Sequence, residues 1–160
     1  MTKIERKYLA HYINTSNPGE EAVYARLGKD LEEYSPELAA EVETKKNIFG
    51  ETNVNISGYT KTASVEPYYA TKGDPLFTRL QGIIDDDLVL SDLKTDVVEV
   101  KLWEAAEGSA YPAVLEEAYI EVTSYGGDTT GYQIPFTLHY TGVKIKGTFD
   151  VSAKTFTPAQ

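Results

Sequence analysis

Cysteine is absent from the 160 residues. That removes disulfide frameworks, thiolate nucleophiles and cysteine-ligated zinc from consideration. Histidine occurs only at His11 and His139, in different segments and without the spacing of a metal-binding helix. Positive charge is scarce: 15 Lys and Arg stand against 25 Asp and Glu, a formal net charge of −10. A grip on nucleic acid needs clustered cations to displace counterions from phosphates, so this balance argues against one. It argues equally against docking on an anionic membrane surface. No apolar run approaches the roughly 20 residues of a membrane helix. The opening segment, Met1 to Tyr8, is charged and no apolar stretch follows, so no secretory signal is expected. Without one, the sequons at Asn14 and Asn55 read as chance.

What is present favours strands. Twelve Tyr, with many Thr and Val, suit a pleated, half-buried surface. Ala22 to Gly28 alternates, with Val23, Ala25 and Leu27 on one face and Tyr24 and Arg26 on the other. Thr52 to Ala63, Asp96 to Trp103, Ala113 to Tyr125 and Tyr132 to Tyr140 alternate likewise, and a short strand ends near Phe156. Gly126 to Gly131 is a hairpin loop. Lys7 to Asn14 stands apart as a short edge strand or an arm that packs on a neighbour. One helix is expected: Asp74 as N-cap, Pro75 in the first turn, then Leu76, Leu80, Ile83 and Ile84 as an apolar stripe. Pro36 to Gly58 mixes helix propensity with alternation and is read as an extended hairpin or long loop, too polar to build much core of its own. The expected fold is mainly β: two packed sheets, a sandwich or squashed barrel, with one flanking helix. The length suits a single domain spanning 1–160.

No constellation for catalysis, cofactor or metal emerges. His11 and His139 read as surface or interface imidazoles. Asp85, Asp86, Asp87 and Asp92 lack the alternate acids, central Gly and terminal Glu of a calcium loop, and read as a solvated helix end. In the pairs Glu116–Glu117 and Glu32–Glu33, strand neighbours point to opposite faces and cannot flank one bond. Gly126 and Gly127 precede no phosphate-binding helix. Tyr68, Tyr69, Trp103, Tyr111, Tyr119 and Tyr125 are candidates for a sugar-binding platform; cross-strand pairs or interface anchors are the commoner use of such residues.

Tyr24 to Tyr34 followed by Pro36 to Thr52, then the helix start Gly73-Asp-Pro-Leu76 and the stretch Tyr140 to Phe149, resemble in order and spacing the tail tube (major tail) proteins of long-tailed phages infecting Gram-positive bacteria. The likeness runs over nearly the whole chain; no single motif carries it. It implies a virion protein, assembled in the host cytoplasm, in which six copies form a ring and rings stack into a tube for the ejected genome. It implies homo-oligomeric contacts and other tail proteins (tape measure, distal tail and terminator proteins) as partners, with DNA passing unbound. The N-terminal arm (1–19) and the loop 36–58 would then reach neighbours, with Tyr8, Tyr12, Leu38, Val42, Ile48 and Phe49 as candidate interface residues. Acidic walls repel phosphate and suit a conduit; Glu117 and Glu121 are the expected lumen residues, with Glu99 in reserve. The alternative is a monomeric β-sandwich module that binds glycan or a host surface through its aromatics.

Overall fold

The computed structural model describes residues 1–160. The expected helix is α1 (Pro75–Asp86). Asp74 caps it by accepting from the Leu76 backbone N–H at 3.0 Å, and Leu76, Leu80 and Ile83 bury its apolar stripe. The remaining regular structure is almost entirely strand: β1 (Leu9–Asn14), β2 (Tyr24–Arg26), β3 (Ala40–Lys46), β4 (Thr52–Tyr59), β5 (Thr62–Val65), β6 (Lys94–Lys101), β7 (Ala110–Val122), β8 (Gly126–Asp128), β9 (Gly131–Gln133), β10 (Phe136–Asp150) and β11 (Thr155–Pro158). The protein is mainly β with one helix, as the alternation implies.

The main sheet runs β11-β10-β7-β6-β1-β2, and β5 also pairs with β10. It is antiparallel throughout. The strands β7 and β10 are long, 13 and 15 residues, and they serve two cores on opposite faces of the same sheet. Ala118 and Ile120 of β7, with Phe136 and Leu138 of β10, Val97 of β6 and Ile13 of β1, pack under α1. Five residues back along β7, Ala113 joins Val98, Val100, Ala10, Tyr12 and Phe149 in the second core. An odd offset along a strand reverses the face, so both sides of one sheet are used. The sheet curls to close the second core: the Tyr12 and Phe149 rings lie 4.5 Å apart although β6 and β7 separate their strands. A bulge between Tyr140 and Lys144, with Gly142 at φ 92°, lets β10 bend.

Three expectations need correction. Tyr132 to Tyr140 is not one strand: β9 ends at Gln133 and pairs only with β8, whereas β10 begins at Phe136 and runs to Asp150 in the main sheet. Lys7 to Asn14 is neither edge nor arm. Its strand β1 lies between β6 and β2, and Ala10 to Ile13 are buried; the apolar run is core, not a surface for a neighbour. Thr52 to Ala63 is not one strand. Its first part is β4, paired only with β3, whereas β5 begins at Thr62 and joins the main sheet.

Candidate assembly surface

The two strands β3 and β4 form a hairpin that stands outside both cores, as the segment 36–58 was expected to do. Its register places Val42 opposite Ile56 and Thr44 opposite Val54. Beyond a one-residue shift, Ala40 faces Tyr59. Directly opposed residues share a face, so Ala40, Val42, Thr44, Val54, Ile56 and Tyr59 make one largely apolar side, which the Lys46–Thr52 pair closes toward the tip. Glu43, Lys45, Asn53 and Asn55 make the other. Every residue of both strands is exposed except Gly58. The apolar side therefore faces water.

Local chemistry sets the tip. Asn47 Oδ1 accepts from the backbone N–H groups of Phe49 and Glu51, both at 3.0 Å. Gly50, at φ 82°, donates to the Asn47 carbonyl. This fold-back projects Ile48 and Phe49, which are 97 % and 81 % exposed. At the base, Glu37 and Thr62 exchange backbone hydrogen bonds of 2.7 and 2.9 Å, which anchors the arm to β5. Leu38, just outside the strands, is also exposed.

Of the six expected interface residues, five are exposed: Tyr8, Leu38, Val42, Ile48 and Phe49. The sixth, Tyr12, is corrected. It is 5 % exposed and fills the second core against Phe149, so it cannot anchor a neighbour. The pattern also missed Val54, Ile56 and Tyr59, which complete the hairpin's apolar side. Their signal was the alternation in Thr52 to Tyr59, within a stretch read as one strand from Thr52 to Ala63.

The expected lumen acids separate. Glu117 and Glu121 share a face of β7, two steps of two apart, with His139 and Thr137 opposite Tyr119 and Glu121 on β10. Glu121 accepts from His139 Nε2 at 2.6 Å, and Glu117 lies 3.2 Å from Lys94 Nζ. Glu99 does not belong with them. It pairs with Val114, on the other face of the sheet, and accepts from His11 Nε2 at 3.0 Å. His11 is correspondingly not a surface imidazole: it is 4 % exposed. The Glu99 carboxyl is held below its ordinary value, first by the His11 hydrogen bond and against the opposing cost of burial.

Glu99 and His11 belong to a polar layer inside the fold. Beside them Lys61 Nζ donates to both oxygens of buried Glu116, at 2.8 and 3.1 Å, and lies 4.7 Å from the centre of the Tyr140 ring. Burial pushes the Tyr34 phenol up to about 12 and raises Tyr140 further. These groups pair with one another inside the fold. Sequence reasoning missed the layer, although Glu116 shares the parity of Ala118 and Ile120 and so had to face inward. Asp85 to Asp87 end α1 at the surface, as expected of a solvated helix end.

The aromatics do not converge. Tyr68 donates to Asp74 at 2.6 Å and packs edge-on against Phe136. Tyr111 packs on the second core, while Trp103 and Tyr125 are exposed beyond opposite ends of β7. At about 3.3 Å per residue, that strand keeps them some tens of ångströms apart. No helix is long and apolar enough to cross a membrane. No protein-family model matches the chain, and no curated protein matches it significantly.

Proposed function

We propose that this chain is a structural subunit that assembles with copies of itself into stacked six-membered rings, as a phage tail tube does, and that it works by assembly rather than by catalysis. The observation that carries the reading is the β3–β4 hairpin. Two strands alone are marginally stable in water, and a continuous exposed apolar patch marks an interaction site. Here one side of the hairpin is largely apolar and solvent-facing, and its tip presents Ile48 and Phe49 to water. A neighbouring copy would cover them and pair the free strand edges, which are otherwise an aggregation hazard. On this reading Glu117 and Glu121 turn toward the channel. DNA slides past without being held, and tape measure, distal tail and terminator proteins meet the tube inside and at its ends. The tube is part of a virion and is built in the host cytoplasm.

The test is negative-stain electron microscopy and sedimentation velocity on purified protein across concentrations. Wild type is expected to give rings or tubes. The pair Val42→Asp and Ile56→Asp, together in one chain, should leave it monomeric with an unchanged melting temperature, because both positions are exposed in the lone molecule. A wild type that stays monomeric at all concentrations sinks the reading.

A further inference from the structure

A chain with an excess of ten acids nevertheless gathers cations at one place. Arg6, Lys7, Arg26 and Lys29, four of its 15 Lys and Arg, line a single cavity of about 480 Å³, with one acid, Glu32, among the lining residues. Its apolar floor includes Leu9, Leu27 and Leu31. Arg6 spends its guanidinium on the backbone carbonyls of Leu9 and Tyr34, at 2.6 and 2.9 Å. Arg6, Arg26 and Lys29 have no carboxylate partner within the chain. Unpaired cations around an apolar floor suit an acidic segment that also carries apolar side chains.

One such segment of the chain is frustrated in the lone molecule. Asp85, Asp86 and Asp87 sit at the C-terminus of α1, where the helix dipole disfavours negative charge. Val89 and Leu90 follow, exposed by 61 % and 80 %. Leu90 adopts φ +56°, a left-handed conformation that costs a bulky side chain energy. Acids next to protruding apolar residues are thus displayed on a fixed turn. Arg79 fixes it: its buried guanidinium donates to the carbonyls of Ser16, Asp92 and Lys94.

The two features lie at opposite ends of the same strand. The cavity takes in Leu9, Ala10 and His11 at the start of β1, whereas the acidic turn is tied through Arg79 to Ser16, just past its end. Five residue steps, from His11 to Ser16, separate them, about 17 Å. They therefore cannot meet within one molecule, but they can meet between molecules arranged head to tail. A head-to-tail contact propagates as an open stack when rotation does not close it.

We propose that the cavity bounded by Arg6, Arg26 and Lys29 receives the Asp85–Leu90 turn of a second copy, and that this contact joins successive layers of the assembly. Aspartates meet the rim cations while Val89 and Leu90 cover Leu27 and Leu31. The inference rests on the assembly reading and is separable from it, because it uses none of the hairpin residues.

The experiment follows tube length by electron microscopy and sedimentation at low and high salt. Arg26→Glu with Lys29→Glu should raise the concentration needed for stacking by about tenfold or more, with the melting temperature unchanged. Asp86→Lys with Asp87→Lys should do the same, and all four changes in one chain should restore stacking. Leu90→Asp, at an exposed position, is the second variant and should also shorten tubes. Stacking that is unaffected by the charge reversals, or not rescued by their combination, overturns this contact while leaving self-assembly intact. A wild type that never assembles overturns both.

Discussion

At the scale of single residues, the informative groups are the polar ones inside. Glu99 is held below its ordinary value by the His11 hydrogen bond. A carboxylate depressed in this way stabilises the fold above its unfolded value, near 4.3, and that contribution disappears as pH falls through the lower folded value. Acid should therefore weaken the protein progressively below about pH 4.5. Carboxyl NMR titration should place Glu99 under a free glutamate, and His11→Phe should move its midpoint upward; an unmoved midpoint would mean the hydrogen bond is not its cause. Glu116 and Lys61 form the more deeply buried pair, with side chains 6 % and 13 % exposed. Removing one partner leaves a buried charge alone, so Glu116→Ala should cost about 3–5 kcal/mol in denaturant unfolding. Replacing both, with Leu and Met, should cost far less.

At the scale of elements, α1 and the hairpin represent two ways of specifying local structure. The helix is defined by its own residues: the Asp74 cap, Pro75 and the stripe Leu76, Leu80 and Ile83. Asp74 also accepts from the Tyr68 hydroxyl at 2.6 Å. Asp74→Ala should therefore cost at least the ~1 kcal/mol of a lost cap, read as a drop in melting temperature. The hairpin is defined by turn chemistry at Asn47 and Gly50, and little holds its strands beyond their mutual hydrogen bonds. In the isolated chain its amides should exchange far faster than those of β7. Addition of assembled material should slow them. Equal protection in the monomer would mean that the arm is already stable without a neighbour.

At the scale of the whole molecule, two cores lie on opposite faces of one curled sheet, and β7 and β10 run through both. Neither core can be lost without disturbing the same two strands. Phe136→Ala in one core and Phe149→Ala in the other should each cost about 3–5 kcal/mol, and each should lower a single shared transition. Calorimetric and van't Hoff enthalpies should agree. Two resolved transitions would show the cores to be independent. The charge distribution also matters at this scale. A molecule with net charge −10 repels its copies, so contacts between copies need local relief, which the cationic cavity and the apolar hairpin side both offer.

Much of this was legible in the residues alone. Alternation of period two located the strands, Asp74-Pro75 located the one helix, and the polarity of Pro36 to Gly58 marked it as standing outside the core. These are short-range signals, set by side-chain direction and backbone preference. What the tertiary structure decided was which alternating faces are covered. Tyr12 and Val42 both sit in apolar, strand-like surroundings in sequence, yet one fills a core and the other faces water. Glu99 and Glu117 both sit in alternating strands, yet they lie on opposite sides of the sheet. Periodicity says that two faces differ; only the curl of the sheet, and the strands brought from far along the chain to close it, determine which face is inside.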